Sequence, residues 1–248
     1  MRQKITAAVL VLAFWSSASV AQNKNDDNKI ILTPYLWGTS LNGTSTVGTL
    51  PPLDIDASFS DILSNLNFAA SLHTEFHMGP WRFVVDPTYI SLEADIPPPM
   101  PAPASATGAT MDITIWLVEV WAGYAFTDNW EVLGGVRYQD QDLQLSGLPS
   151  PPFPSSLGIS DSWSDWFAGV RYKAALGAKW VMAWRGDVVV AGDSDTSYNT
   201  QIFFNRRIGE TMALNVGYRY LKDDYSNDGV YGWDMVQQGP VIGYTWTF

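Results

Sequence analysis

Residues 241–248 read VIGYTWTF, and the order of residue types in this stretch predicts the fold of the whole chain. Every second position carries a large apolar or aromatic residue: Ile242, Tyr244, Trp246 and Phe248. The positions between them are mostly small or polar, and successive side chains of a β-strand point to opposite faces. The stretch therefore predicts a strand with one face in lipid and the other toward a more polar interior.

The start of the chain has the pattern of a secretory signal peptide. Arg2 and Lys4 precede an apolar run at residues 7–15, and small residues follow at positions 19–21. No apolar run in the sequence reaches the ~20 residues of a membrane-spanning helix, so a closed barrel is the remaining structure that satisfies its backbone in lipid. The expected divisions are a signal peptide at residues 1–21, cleaved near Ala21, an N-terminal tail at 22–29 and a β-barrel at 30–248.

Composition excludes several classes of function. The chain has 12 Trp, 11 Tyr and 11 Phe, and its apolar residues are spread along the chain, as expected when lipid-facing and lumen-facing residues alternate. The absence of cysteine excludes disulfides, thiolate metal sites and cysteine catalysis. Without Arg2 and Lys4 the 14 basic residues fall to 12 against 25 acidic ones, a formal charge of −13. Nucleic acid needs a basic footprint, so it is not an expected partner, and no cofactor is expected.

Turn signals divide the rest of the chain into ten stretches with strand character. They are residues 30–40, 67–78, 81–93, 111–126, 130–145, 163–176, 180–191, 197–208, 212–224 and 233–248. Short turns at 79–80, 127–129, 177–179 and 209–211 alternate with longer connections at 41–66, 94–110, 146–162, 192–196 and 225–232. This alternation is typical of bacterial barrels, whose short turns face the periplasm. We predict an all-β, transmembrane, antiparallel up-and-down barrel of about ten strands, with eight or twelve as alternatives.

The first long connection differs from the others. Residues 54–59 alternate like a short strand, and residues 60–66 have the apolar spacing of one or two helical turns with Ser60 as the cap. We expect a hairpin with a short helix over or inside the barrel mouth. Pairing of residues 44–57 into the wall would raise the count to twelve strands.

Tryptophans mark the two expected membrane interfaces, where an amphipathic ring is favoured. Those that follow short turns predict a periplasmic girdle: Trp81, Trp130 and Trp180. Two others follow long loops and predict the opposite girdle: Trp163 and Trp233. The alternative is a soluble β-sandwich with tryptophans in its core, which explains neither the terminal phenylalanine nor the alternation of loop lengths.

A repeated motif predicts a charged lumen. It reads GVRY at 135–138 and 169–172 and GYRY at 217–220, and period-two geometry sends each arginine inward and each tyrosine toward lipid. Buried charges must be paired, so acids of the same phase are expected opposite the arginines. The predicted lumen network is Glu75, Asp86, Glu131, Arg137, Asp165, Arg171, Arg185, Asp187 and Arg219. It fills a plugged scaffold or lines a solute path.

Both histidines lie on one strand face, and this face holds the catalytic candidates Ser71, His73 and Glu75. A serine hydrolase, a metal site and plain hydrogen bonding in the lumen are the alternatives. His73 and His77 stand about 13 Å apart along a strand, which is too far for one ion to bridge. Leu72 and Phe76 take the lipid face of the same strand, so Ser71 and His73 point inward.

Acidic residues gather in the predicted outer loops, which hold no basic residue. They are Asp54, Asp56, Asp61, Asp95, Asp161, Asp193, Asp195 and Asp228. Solvated loop acids and sites for divalent cations are the alternatives, with Asp193 and Asp195 as the metal candidates. Two acidic pairs, Asp140 with Asp142 and Asp223 with Asp224, suggest an aspartyl-type protease. No histidine falls near the outer rim to complete such a site. The proline-rich loops at 97–103 and 149–154 carry no chemistry.

Pro34-Tyr35-Leu36-Trp37, the three Gly-x-Arg-Tyr units and Phe248 resemble small Gram-negative outer-membrane barrels of the OmpA- and OmpW-like kind, including a proteobacterial group without assigned activity. The resemblance implies outer-membrane lipids and lipopolysaccharide as surroundings and the barrel-assembly machinery as a partner during insertion. The implied assembly signal is Tyr244, Trp246 and Phe248. No peptidoglycan-binding domain is expected in this sequence, so cell-wall tethering is not implied.

Three functions are consistent with the sequence. The first is a non-enzymatic barrel for envelope integrity or surface interaction, with a plugged or narrow charged lumen. The second is a porin-like channel for small cationic or apolar solutes. The third is a lipid-modifying hydrolase that uses Ser71 and His73.

Overall fold

The computed structural model describes residues 28–47, 52–96, 109–147, 156–227 and 229–248. The expected signal peptide, residues 22–27 of the expected tail, both proline-rich loops and Asp228 lie outside these ranges. The strands are β1 (Asn28–Trp37), β2 (Ser40–Val47), β3 (Leu53–Ala57), β4 (Leu66–Met78), β5 (Trp81–Ile96), β6 (Ala109–Ala125), β7 (Trp130–Ser146), β8 (Ser156–Ala175), β9 (Trp180–Gly192), β10 (Ser194–Arg207), β11 (Met212–Asn227) and β12 (Tyr231–Thr247), and the helix is α1 (Phe59–Ser64).

The strands form one antiparallel sheet that closes on itself through the pairing of β1 with β12. β1 and β2 lie end to end along β12, with Trp37 opposite Val241 and Ser40 opposite Gln238. They act together as one wall strand, and β3 folds back on β2 as a short hairpin. The result is a closed barrel of ten wall strands with a short helix in an early loop, which confirms the predicted fold.

The break between β1 and β2 is held by a close backbone approach. The Gly38 amide donates to the Pro240 carbonyl at 2.8 Å. A Cβ on Gly239 would overlap the carbonyl oxygen of Gly38, so only glycine fits there. The wall strand therefore bends at residues 38–39 without leaving β12.

Short connections gather at one end of the barrel, which we call the short-turn end; we call the opposite end the loop end. One expected long connection, at residues 192–196, is wrong: Asp193 alone joins β9 to β10. The Asp165 carboxylate accepts hydrogen bonds from the Asp193 and Ser194 amides at 3.0 and 2.9 Å and so stabilises the tight turn. The wall is consequently lower at β9 than at β8. Pairing between the two strands stops at Asp165 and Gly192, whereas β8 extends further, to Ser156.

The outer surface of the wall is apolar. Phe76, Val120, Trp166 and Ile242 project outward and are between 39% and 59% exposed. A continuous apolar surface of this size fits lipid and would be costly in water. Within the described residues no helix is both long enough and apolar enough to cross a membrane.

The five predicted girdle tryptophans divide into two groups. Trp81, Trp130 and Trp180 project outward next to the short turns, and their place at a membrane interface stays a prediction. Trp163 and Trp233 are 2% and 5% exposed and point into the barrel, so the prediction of a second girdle from them is wrong. Their phase along the strand explains this, because Trp163 lies an even number of residues from the inward-facing Arg171 on β8.

Helix α1 begins earlier than expected, because its N-cap is Ser58 and not Ser60. The Ser58 hydroxyl accepts from the Asp61 amide, and the Asp61 carboxylate accepts from the Ser58 amide and hydroxyl. These bonds favour the ionised carboxylate and lower the pKa of Asp61. Ile62 packs against two apolar clusters on different parts of the wall, so the helix lies over the loop end of the lumen.

Candidate functional site

The barrel interior contains the densest group of ionisable side chains in the described residues. All nine residues of the predicted lumen network point inward and are less than 9% exposed. Two further buried acids, Glu119 and Asp223, belong to the same interior and were missed by the sequence analysis. Glu119 carried a signal, because it is the one charge in the otherwise apolar stretch 115–122.

Five side chains form what we call the central ion cluster: Glu119, Arg137, Arg185, Asp187 and Arg219. Glu119 is its hub and accepts from Arg137, Arg185 and Arg219, each at 2.9 Å. Asp187 accepts from Arg137 at 2.7 Å and lies 2.8 Å from a guanidinium nitrogen of Arg185. Because these residues come from β6, β7, β9 and β11, their bonds cross the lumen.

A second group, the histidine cluster, lies nearer the short-turn end. Arg171 on β8 donates to both carboxylate oxygens of Glu75 on β4, each at 2.8 Å, and to Glu131 at 2.8 Å. His77 bonds Glu75 at 2.5 Å, and His73 bonds Asp86 at 2.8 Å and Glu75 at 3.3 Å.

Arg171 and Arg185 also lie over the Trp121 ring, with guanidinium carbons 4.9 and 5.1 Å from its centroid. This indole links the histidine cluster to the central ion cluster, and every carboxylate in both clusters has a hydrogen-bond or ion-pair partner.

Aromatic side chains fill the lumen toward the loop end. We call this layer the aromatic cap; its buried members are Leu41, Trp163, Tyr225, Tyr231, Trp233 and Met235. The rings of Trp163 and Tyr225 stack at 4.4 Å between centroids, and the Tyr231 hydroxyl donates to Gln141 across the lumen at 2.5 Å. Ile55 and Ile62 pack against the cap from above, which is where the sequence analysis expected the first loop to lie.

Below the central ion cluster the lumen is open. A cavity of about 470 Å³ begins at the short-turn end and reaches Arg171, Arg185 and Arg219. We call it the vestibule. Its lining includes small or slender side chains on β9 to β12, among them Val181, Ala183 and Ala213. These side chains are too short to meet across the barrel, so the lower lumen stays unfilled.

The catalytic candidates are not arranged as a hydrolase triad. Ser71 accepts a hydrogen bond from Thr88 at 3.0 Å, while His73 bonds Asp86 and Glu75. Within the described residues no hydrogen bond joins Ser71 to His73. The nucleophile therefore lacks a base, although Ser71 and His73 face inward as expected.

The acidic candidates are dispersed as well. Asp140 and Asp142 alternate with the inward-facing Gln139 and Gln141, so they lie on the outer face of β7. Asp223 points inward, and its neighbour Asp224 therefore points outward. Neither pair forms a shared carboxylate site.

Asp193 and Asp195 do not form a metal site in the described residues. The Asp193 carboxylate accepts from the Ser164 amide at 2.8 Å, so it stabilises the β9–β10 turn. Asp195 is exposed. No group of three or more potential metal-ligating side chains is found in the part of the chain that the structure describes.

The barrel is similar to known outer-membrane structures. The outer-membrane protease OmpT of Escherichia coli matches 90% of this chain and 97% of its own, with a TM-score of 0.60 and 9% sequence identity. The translocator domain of the autotransporter NalP of Neisseria meningitidis matches 91% of this chain and 90% of its own, with a TM-score of 0.42 and 11% identity. No family model and no curated protein matches the sequence. At these identities the likeness concerns the fold alone, which is that of small outer-membrane β-barrels.

Proposed function

We propose that this protein is a non-enzymatic, integral outer-membrane barrel with a plugged lumen, serving envelope integrity or surface interaction. In this proposal the short-turn end faces the periplasm and the signal peptide is cleaved near Ala21. The observation that carries the proposal is the pair of layers that cross the lumen, the central ion cluster and the aromatic cap.

The two layers resist ion passage for different reasons. Charges in the central ion cluster are bound to one another across the barrel, and separating them would leave uncompensated buried charges at a cost of about 3–5 kcal/mol. Stacked rings in the aromatic cap are packed against Ile62 of α1. A solute would have to displace both layers, which favours a plug over the porin-like alternative.

The loop end suits contact with the cell surface environment. In the described residues, the acidic side chains at this end include Asp54, Asp56 and Asp161. The nearby Lys222 is bound to Asp234 and so does not neutralise them. Divalent cations that bridge lipopolysaccharide phosphates are the proposed partners of this acidic surface. Outer-membrane lipids surround the wall, and the barrel-assembly machinery acts on the last strand through Tyr244, Trp246 and Phe248.

Planar-bilayer recording tests the plug. The refolded native protein is expected to give no unitary conductance steps after insertion. A shift in gel migration between unboiled and boiled samples verifies that the barrel is folded. A general porin added to the same membrane shows that steps are detectable. Reproducible steps from the native barrel would overturn the plugged lumen and favour the channel.

The absence of cysteine makes the orientation testable. Ser60→Cys on α1 is expected to react with a membrane-impermeant maleimide in whole cells. Thr127→Cys in a short turn is expected to react only after the outer membrane is opened. The reverse pattern would place the short-turn end outside and overturn the orientation.

A further inference from the structure

We propose that the vestibule is a binding site for amphiphilic anions, molecules with one phosphate or carboxylate head and an apolar body. The head lies among basic side chains at the short-turn rim, and the body extends inward along apolar wall residues. The inference goes beyond the plugged barrel and holds whether or not the lumen conducts.

Four basic side chains line the rim: Lys29 on β1, Lys173 on β8, Lys179 before β9 and Arg207 at the end of β10. In the described residues Lys29, Lys179 and Arg207 form no ion pair, and Lys173 approaches the Glu75 carboxylate only at 3.7 Å. Glu210 is the acidic side chain of the lining at this level. An excess of unpaired cations around a concave, low-dielectric mouth attracts anions.

The interior beyond the rim does not attract a second negative charge. Its buried side chains comprise four arginines and seven carboxylates. Even with His73 and His77 both protonated, the carboxylates remain in excess. An anionic head therefore gains most at the rim and loses if it moves toward the central ion cluster.

The body of the ligand has an apolar surface to occupy. Ile31, Val181, Ala183, Phe203 and Val241 line one side of the vestibule, on β1, β9, β10 and β12. Lys29 lies on β1, Lys179 directly before β9 and Arg207 on β10. The head and the body of the ligand therefore contact the same side of the barrel. A volume of about 470 Å³ lies within the range of small-molecule sites.

Two sources supply this chemistry: a soluble amphiphile, or an anionic phospholipid from the adjacent leaflet. Both carry an anionic head on an alkyl body. The side chains of the rim point into the lumen, so the headgroup of a lipid would have to enter the vestibule.

Calorimetric titration of the mature protein in phosphatidylcholine nanodiscs tests the site, with n-octyl phosphate as the probe and empty nanodiscs as the partition blank. Saturable binding near one equivalent is expected for octyl phosphate. Octanol lacks the head and inorganic phosphate lacks the body, so each is expected to bind at least about tenfold more weakly. Equal binding of octanol, or no saturable binding of octyl phosphate, would overturn the proposal.

Variants assign the binding to the vestibule. The triple change Lys29→Gln, Lys179→Gln and Arg207→Gln is expected to weaken octyl phosphate at least about tenfold, a loss of about 1.4 kcal/mol. Ala183→Trp fills the apolar side with all rim charges intact and is expected to abolish binding. Lys222→Gln near the loop end is the matched control and is expected to change nothing. Native-like gel migration shows that each variant is folded, and unchanged binding in the first two would refute the site.

Replacing 30% of the phosphatidylcholine by phosphatidylglycerol distinguishes the two sources. Weaker octyl phosphate binding in these discs identifies a lipid in the vestibule, provided that the weakening is smaller in the Lys29→Gln, Lys179→Gln, Arg207→Gln variant, which lacks the rim charges that hold a lipid head. Unchanged binding identifies a soluble amphiphile. Weakening by the same factor in the native protein and in this triple variant would contradict competition at the rim charges.

Discussion

The two halves of the barrel interior share one wall but differ in what fills them. Toward the loop end Trp163, Tyr231 and Trp233 fill the lumen, whereas toward the short-turn end Val181 and Ala183 leave a cavity of about 470 Å³. The strands on both sides have the same spacing and alternation. Side-chain size at inward positions, and not the strand count alone, therefore decides which part of a small barrel is open.

Charge separates the halves in the same direction. Unpaired cations line the open end, and exposed aspartates occupy the closed end. The central ion cluster stands between them and is held by bonds across the lumen. The sequence-based hypothesis of a channel for cationic solutes fits the acidic loop end but not the basic rim of the vestibule.

Removal of the cluster hub should have the largest effect on stability. Glu119→Ala leaves Arg137, Arg185 and Arg219 without their shared carboxylate, and we expect a loss of up to about 5 kcal/mol in the free energy of unfolding. Urea unfolding in detergent micelles, followed by tryptophan fluorescence, measures it. Glu93→Gln on the exposed surface is the matched control, and a loss below about 1 kcal/mol would show that the cluster does not hold the halves together.

The aromatic cap should be the next most sensitive region. Trp163→Ala removes a ring stacked on Tyr225, and we expect a loss of about 3 kcal/mol in the free energy of unfolding. Trp166→Ala is the control, because this ring is 59% exposed on the outer face of the same strand. Urea unfolding in lipid discs measures both variants, and equal losses in the free energy of unfolding would contradict a packed cap.

Added volume should have a smaller effect, and it should distinguish the open vestibule from a packed part of the interior. Ala183→Phe extends into the vestibule and should change the free energy of unfolding by no more than about 0.5 kcal/mol. Val84→Phe adds volume where Trp121, Leu133 and Phe167 already pack, and should cost about 1–3 kcal/mol. The same unfolding assay measures both variants, and a larger cost for Ala183→Phe would mean that the vestibule closes in solution.

The smallest effect should come from acidification at α1. Ser58 lowers the pKa of Asp61 in the folded chain, so this stabilisation is present above the ordinary aspartate pKa and is lost as the pH falls through the lowered value. We expect lower amide protection factors at residues 58–65 in acid, after correction for the pH dependence of intrinsic exchange, without change in the wall. Asp61→Asn should have low protection factors at these residues at every pH; a pH response of the protection factors retained in this variant would exclude Asp61 as its cause.

Much of the wall was predictable because a period of two is visible in the sequence. The parity of Arg137, Arg171 and Arg219 correctly indicated the inward face. The same parity places Trp163 inside, whereas its position after a long loop indicates a membrane girdle; parity is the stronger signal, because it follows directly from strand geometry. Chemistry was harder to predict: Ser71 and His73 share a face, yet β5 gives them different partners. Thr88 bonds Ser71, and Asp86 bonds His73.

The barrel class, the approximate strand number and the face of most side chains follow from the sequence, because alternation and turn residues are local properties of the chain. Three features are visible only in the folded barrel: Glu119 joins three arginines, one residue connects β9 to β10, and the lumen is filled at one end and open at the other. Those features depend on the relative heights of strands that are far apart in sequence, and register across a closed sheet is set by all its pairings together.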